Sequence, residues 1–435
     1  MALFRTLFAA GLALCALPLP LAAQDGGDAG GVWLRLGLNQ RFEATENADL
    51  NLSSEGRTTR AATALALVLS SETRTDFISL SFGASLRHAE GPDDEDDVSF
   101  ALQAPRVELS YARSGTQSLL ETRFAARTEE VSYLRNLRDF LNEDGTLPEE
   151  FETINDLIDS VDREAEGQRR TLSASAGVRF GIDGPVEGGL RLSAQHVDHF
   201  GTDPALFFDS ESYTATGDLR LALTETLTLN SRLSYTEFHQ DSSPVRETWA
   251  LTLGLSQSRP RGTLSFSLGA RQVEEGTSYT LNSGWSTELA GGDRLGFTLG
   301  ASRSANGTDA LTGTLSYNRP LPRGAFSAQL RRGLTSGTEE SEELFTLASL
   351  GLTHEFGPLT SGQIGLSWID TEDLAMSART TRGALDISIS HQFVQDWQIS
   401  AGYRRSMLRD TTVGSGWAES DSLFVSINKT FSHRF

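Results

Sequence analysis

The feature that most constrains this chain is an alternation. From Val32 to Phe435, apolar and polar residues take turns for about ten residues at a time, and a turn signal then interrupts them. In LSFSLGAR, Leu264, Phe266, Leu268 and Ala270 fall on one face, and Ser265, Ser267, Gly269 and Arg271 on the other. LGFTLGAS repeats this with Leu295, Phe297, Leu299 and Ala301, and ISLSFGASL with Ile78, Leu80, Phe82, Ala84 and Leu86. Strand side chains point alternately to opposite faces, so each run reads as a strand with one apolar and one polar face.

A soluble sandwich also alternates, but its apolar faces must meet in a closed core. Here the second face is mostly Ser, Thr, Gly and Arg, which suits water. Twenty runs can be drawn, the first near 32–42 and the last near 420–435. Each has about the length that crosses a bilayer when tilted. The connections alternate too. Short turns at 71–75, 114–116, 182–185, 259–262, 290–293, 320–324, 357–358 and 394–396 are interleaved with longer acidic loops such as 90–97, 200–210, 336–343 and 370–377. Short turns on one side and long loops on the other mark a transmembrane barrel. A lipid-spanning sheet must also close, because an open edge leaves backbone groups unpaired in hydrocarbon. The predicted fold class is therefore all-β: a closed antiparallel transmembrane β-barrel of about 20 strands (about 16 to 20), with a helical extracellular loop insertion.

That insertion is residues 129–168, the one segment that breaks the rhythm. Val131, Leu134, Leu137, Phe140 and Leu141 stand at helical spacing, as do Phe151, Ile154, Leu157, Ile158 and Val161. Gly145 and Pro148 separate them as a helix stop and a helix start would. Such a hairpin either narrows the mouth of the barrel or packs on its rim.

Residues 1–23, MALFRTLFAAGLALCALPLPLAA, read as a signal peptide: Arg5, an apolar stretch from Leu7 to Leu17, then Ala22 and Ala23. Residues 24–31 would be a short periplasmic segment and 32–435 the barrel. The only cysteine, Cys15, lies inside the leader with Leu14 before it, which argues against lipidation and leaves the exported chain without disulfides. The net charge of −21 disfavours nucleic acid as a partner.

No catalytic constellation is legible, so the chain is not expected to be an enzyme, and no cofactor or metal is expected. His196 and His199 are three apart, which on a strand puts them on opposite faces. The run Asp93 to Asp97 reads as a solvated loop tip rather than a cation site. Trp249, Trp285, Trp368, Trp397, Phe356, Phe393 and Tyr403 fall toward run ends or on apolar faces, as an interfacial girdle would. The polar face carries Arg191, Arg220, Arg232, Arg271, Arg404, Asp218 and Asp386, which by parity look into the lumen. Charges there need water or partners, and they point either to a wet, partly cationic passage or to ion pairs bracing the wall.

The last strand, SDSLFVSINKTFSHRF, ends in Phe435, with His433, Phe431, Lys429, Ile427, Val425 and Leu423 preceding it by twos. This resembles the C-terminal targeting signature of Gram-negative outer-membrane barrels, carried here by Phe431 and Phe435. The resemblance implies a bacterial outer-membrane location, contact with outer-membrane lipid and lipopolysaccharide, and recognition of the last strand by the barrel assembly machinery. The opening LRLGLNQRFEATENADLNL (34–52) resembles the β-barrel porin type 2 group and the barrels associated with exopolysaccharide export, with Glu46, Asn47, Ala48 and Asp49 where those families often carry Ser-Asp-Asn. This implies a porin-like passage for small solutes or saccharides. The alternatives are a structural component of a polysaccharide-export system and a barrel enzyme acting on lipid. A TonB-dependent transporter is not expected, since the stretch from Gln24 to Val32 has no room for a plug domain.

Overall fold

A computed structural model describes residues 30–48, 50, 52–54, 56–91, 101–130, 168–200, 208–240, 244–274, 276–289, 291–305, 307–336, 342–373, 379–411 and 416–435. Its elements are strands, in chain order β1 (Gly31–Glu46), β2 (Arg57–Glu72), β3 (Asp76–Glu90), β4 (Ala101–Ser114), β5 (Ser118–Glu130), β6 (Gln168–Phe180), β7 (Val186–Phe200), β8 (Ser210–Ala222), β9 (Leu227–Gln240) and β10 (Arg246–Arg259). They continue with β11 (Gly262–Val273), β12 (Gly276–Glu288), β13 (Arg294–Arg303), β14 (Asp309–Leu321), β15 (Gly324–Ser336), β16 (Glu342–Gly357), β17 (Thr360–Asp373), β18 (Arg379–Val394), β19 (Trp397–Asp410) and β20 (Ala418–Arg434). These are the twenty runs of the sequence, most of them extended by a few residues at the end away from the short turns.

Each strand pairs antiparallel with its neighbours in sequence, and β1 pairs with β20 from Trp33↔Arg434 to Glu46↔Asp421. The sheet is thereby closed and has no edge. Asn39 Nδ2 donates to Asn428 Oδ1 across the seam, and Phe435 N donates to Val32 O at 2.9 Å beyond its end.

The register explains which face is which. Leu268 lies opposite Leu253 on β10 and Leu281 on β12, and these three side chains are 49%, 43% and 44% exposed. Their neighbours Ser267, Gly254 and Asn282 share the other face. The same division runs round the ring, with Leu65, Leu67, Leu80 and Phe82 among many large apolar residues left exposed. A closed sheet of this width does not fill its interior with its own apolar side chains, so an exposed apolar face is the outer one and meets lipid.

The two ends differ. Connections after even-numbered strands are tight: β10 and β11 are joined by 260–261, β14 and β15 by 322–323, β18 and β19 by 395–396. The turn after β6 reverses through Gly181 and Asp183, at φ 69° and 62°. A Cβ on Gly181 would stand 2.0 Å from Val186 O, so glycine is required there for room as well as for φ. Connections after odd-numbered strands are mostly longer. The wall is also uneven in height: β13 has 10 residues and β11 has 12, whereas β1, β2, β16 and β18 have 16 and β20 has 17.

Two expectations shift at their boundaries. Strand pairing begins at Gly31, one residue earlier than 32. Residues 129–130 and 168 belong to strands, not to the insertion, because Glu129↔Arg169 and Glu130↔Gln168 continue the β5–β6 ladder, reinforced by an ion pair between Arg169 and Glu129. The helical reading of 131–167, the leader 1–23 and the acidic run 93–97 lie outside the described residues.

Candidate functional site: the inner wall

The pairing places Arg191, Arg220, Arg232, Arg271, Arg404, Asp218 and Asp386 on the polar face. Arg191 sits opposite Gly177 and Thr216, and Arg271 opposite Ala250 and Ser278. Asp218 and Arg232 are cross-strand partners on β8 and β9, with Arg232 Nε donating to Asp218 Oδ1 at 2.7 Å. Arg220 reaches Glu187 of β7 at 3.5 Å. On the far wall, Arg404 Nε donates to Asp386 Oδ1 at 2.7 Å.

These pairs are chemically alike but differ in wetness. The Arg232 and Asp218 side chains stay 66% and 44% exposed, whereas those of Arg404 and Asp386 are 18% and 14% exposed. The wall from β7 to β9 is therefore open to water, and the wall from β18 to β20 is packed. Long neighbours account for the difference. Phe424, Arg41 and Glu43 crowd the β20–β1 face, with the Arg41 guanidinium 4.1 Å from the centre of the Phe424 ring. Arg41, Glu43 and Arg60 join the inner face beyond the residues expected there, and period two on β1 alone sets Arg41, Glu43 and Thr45 on the face opposite Leu38 and Phe42. The register then adds Arg60 across from Glu43.

His196 and His199 do not converge. His196 is outward, 2.5 Å from Asp198 Oδ1 and 3.2 Å from Glu211 Oε1, while His199 is on the inner face beside Asp209. Among the described residues no group of three or more His, Cys, Asp or Glu is placed to hold a metal.

Aromatics form two outward belts. Near the short turns stand Trp285 with Phe297, Phe393 with Trp397, and His433 with Phe435, at centroid distances of 5.9, 6.2 and 4.6 Å. Near the other end stand Tyr235 with Trp249 and Trp368 with Trp417, at 4.6 and 5.8 Å. Lys429, on the apolar face, lies 3.8 Å from Asp396 of the last short turn and close over the Trp397 and Phe431 rings. Its charge thus reaches the boundary along a greasy stem. A concavity of about 1180 Å³ belongs to this outer face; Phe42, Ile364, Ile387, Ile389 and Val425 line it, so acyl chains rather than a solute are its neighbours.

A closed antiparallel barrel with an apolar outside, a polar inside and aromatic belts at both ends is a transmembrane β-barrel of the bacterial outer membrane. The fold resembles those of solved receptors and a transporter. The ferric enterobactin receptor PfeA of Pseudomonas aeruginosa, as a G324V mutant, matches with a TM-score of 0.54 at 9% identity, over 94% of this chain and 81% of that one. The ferric-catecholate import receptor Fiu of E. coli K12 matches at 0.52 and 8% identity, over 94% and 82%. The copper transporter OprC matches at 0.51 and 10% identity, over 94% and 82%. At such identities the likeness is one of fold. No family model matches the sequence, and no curated protein matches it.

Proposed function

We propose that this barrel is a passage for small polar solutes across the outer membrane, with a transport role rather than a catalytic one. The observation that carries the proposal is the solvent exposure of a salt bridge on the inner face. Arg232 and Asp218 make a 2.7 Å contact yet leave 66% and 44% of their side chains accessible. Charges inside a membrane-spanning wall persist only where water or partners reach them. In this reading Arg191, Arg220, Arg232, Arg271, Arg404, Asp218 and Asp386 line the passage. The finer likeness, to the porin type 2 and exopolysaccharide-associated barrels, rests on residues 34–52; it favours saccharides or similar small solutes as cargo. The resemblance to receptors and a transporter supports transport in general, while a fold-level likeness carries over neither iron nor copper. The assembly machinery is proposed to grip β20 through Phe431 and Phe435.

The test is reconstitution of the purified barrel in planar bilayers. Stepwise conductance supports the passage. A silent bilayer from correctly folded protein overturns it and leaves a structural role in an export assembly.

A further inference from the structure

Four aromatic rings on the inner wall each lie beneath a guanidinium. Trp33 is in step with Arg41 on β1, and Phe424 pairs with Glu43. Phe238 is in step with Arg232 on β9, and Phe345 with Leu347, the partner of Arg331. Arg331 itself alternates with Leu330, which is 45% exposed on the outer face. The guanidinium carbons of Arg41, Arg434, Arg246 and Arg331 stand 4.1, 5.1, 4.9 and 5.4 Å from the ring centres of Phe424, Trp33, Phe238 and Phe345. Glycines leave room for two of the rings. A Cβ on Gly402 would meet Phe424 at 2.6 Å, and one on Gly333 would meet Phe345 at 2.9 Å.

A ring holds a cation through its quadrupole and cancels none of its charge. A carboxylate does cancel it, as Glu108 does for Arg123 and Asp218 for Arg232. Of the four stacked arginines, Arg41 has Glu43 at 3.1 Å. The other three have no carboxylate partner among the described residues. Arg434 Nη2 donates to Gly30 O at 2.8 Å, Arg246 Nη2 donates to Gln240 Oε1 at 3.0 Å, and Arg331 has the Phe345 ring alone. Both of those oxygens are neutral, so three positive charges remain.

They stand at three heights. Arg434 closes β20 at the short-turn end, Arg331 is midway along β15, and Arg246 opens β10 at the end of the longer connections. Arg331 and Arg434 are exposed, and Arg246 is half-buried. Low-dielectric walls focus the field of such charges into the water between them. Rings of Arg or Lys are what anion pores use to select their cargo. The sign is opposite to that of the chain as a whole, −21, so the wall sets it locally.

We infer that the passage selects small anions, and that Arg246, Arg331 and Arg434 set the preference. The inference deepens the passage reading and rests on it. The ring beneath each cation keeps the guanidinium at the wall and leaves N–H groups for the oxygens of a passing carboxylate or phosphate.

The test is the zero-current potential of the full-length barrel in a planar bilayer between unequal potassium chloride solutions. The parent should pass chloride in preference to potassium. Arg331→Gln should lower the chloride-to-potassium permeability ratio about twofold, the effect of one unit charge within a Debye length of the ions. Arg331→Lys keeps the charge and should keep the ratio. Arg332→Gln, one residue further on and on the outer face, removes the same charge and should behave as the parent does. Replacement of Arg246, Arg331 and Arg434 together by Gln should abolish the preference. Conduction that favours potassium, or a ratio unchanged in both Arg331→Gln and the triple variant, overturns the selection and leaves the passage standing. A silent bilayer from folded protein overturns the passage and the selection with it.

Discussion

At the scale of single residues, two salt bridges of identical length separate into different roles by their surroundings. The Asp218–Arg232 pair is wet, and exposed pairs contribute about 0–1 kcal/mol. The Asp386–Arg404 pair is mostly covered, so removing its carboxylate takes a charge-assisted bond from a largely desolvated guanidinium. Asp218→Asn should therefore change stability by less than about 0.5 kcal/mol, and Asp386→Asn should cost about 1–3 kcal/mol. Urea unfolding in lipid vesicles measures both, and equal losses would contradict the assignment of a wet and a packed wall. The lipid face gives a sharper contrast. Leu268→Arg puts a guanidinium in hydrocarbon near the middle of β11 and should cost about 2–4 kcal/mol. Ser267→Arg, one residue away on the water face, should cost far less. Comparable costs would mean that the two faces are misassigned.

At the scale of strands and turns, the sequence was legible because period two is strict wherever one face is apolar. Leu264, Phe266 and Leu268 could not slip by one residue without turning leucine to the lumen and serine to lipid. The boundaries were less legible. β5 and β6 run beyond the apolar stretch through Glu129, Glu130, Gln168 and Arg169, where the backbone ladder continues and Arg169 pairs with Glu129. No hydropathy signal marks such pairs. The site was legible in part for the same reason: parity along one strand gives the face of Arg404. That Arg60 stands across from Glu43, and Ser422 beside Arg404, needs the register between strands, which the parity of one strand does not give. Turns make their own prediction. Gly181→Ala meets both a positive φ, which costs about 1–2 kcal/mol, and the Val186 carbonyl. It should lower the unfolding midpoint and the yield of folded barrel, whereas Gly357→Ala, with open space around it, should do neither. Removal of Phe435 tests the end of β20. The side chain is 71% exposed, so little packing is lost, and a fall in assembled protein in cells without a matching loss of refolding in vitro would point to recognition by the assembly machinery.

At the scale of the whole molecule, twenty neighbouring pairings close one ring. β1 and β20 are joined from Trp33 to Glu46, so the first and last strands of the chain depend on each other. Unfolding should accordingly be a single cooperative event in which no strand comes away alone. Amide exchange at β1 and β10 should show protection of the same order, and early exchange confined to the seam would show that the ring opens there.

The unequal strands have an outcome beyond the bilayer. At about 3.4 Å per residue and a tilt near 40°, the 10 residues of β13 rise roughly 26 Å, about the height of an outer-membrane apolar band, while the 17 residues of β20 rise roughly 44 Å. One flank of the cylinder ends level with the lipid headgroups, and the opposite flank stands above them like a parapet. A bulky particle arriving on the side of the longer connections, an antibody or a phage tail, should thus meet a low sill over β11 to β13 and a higher rim at β16, β18, β20, β1 and β2.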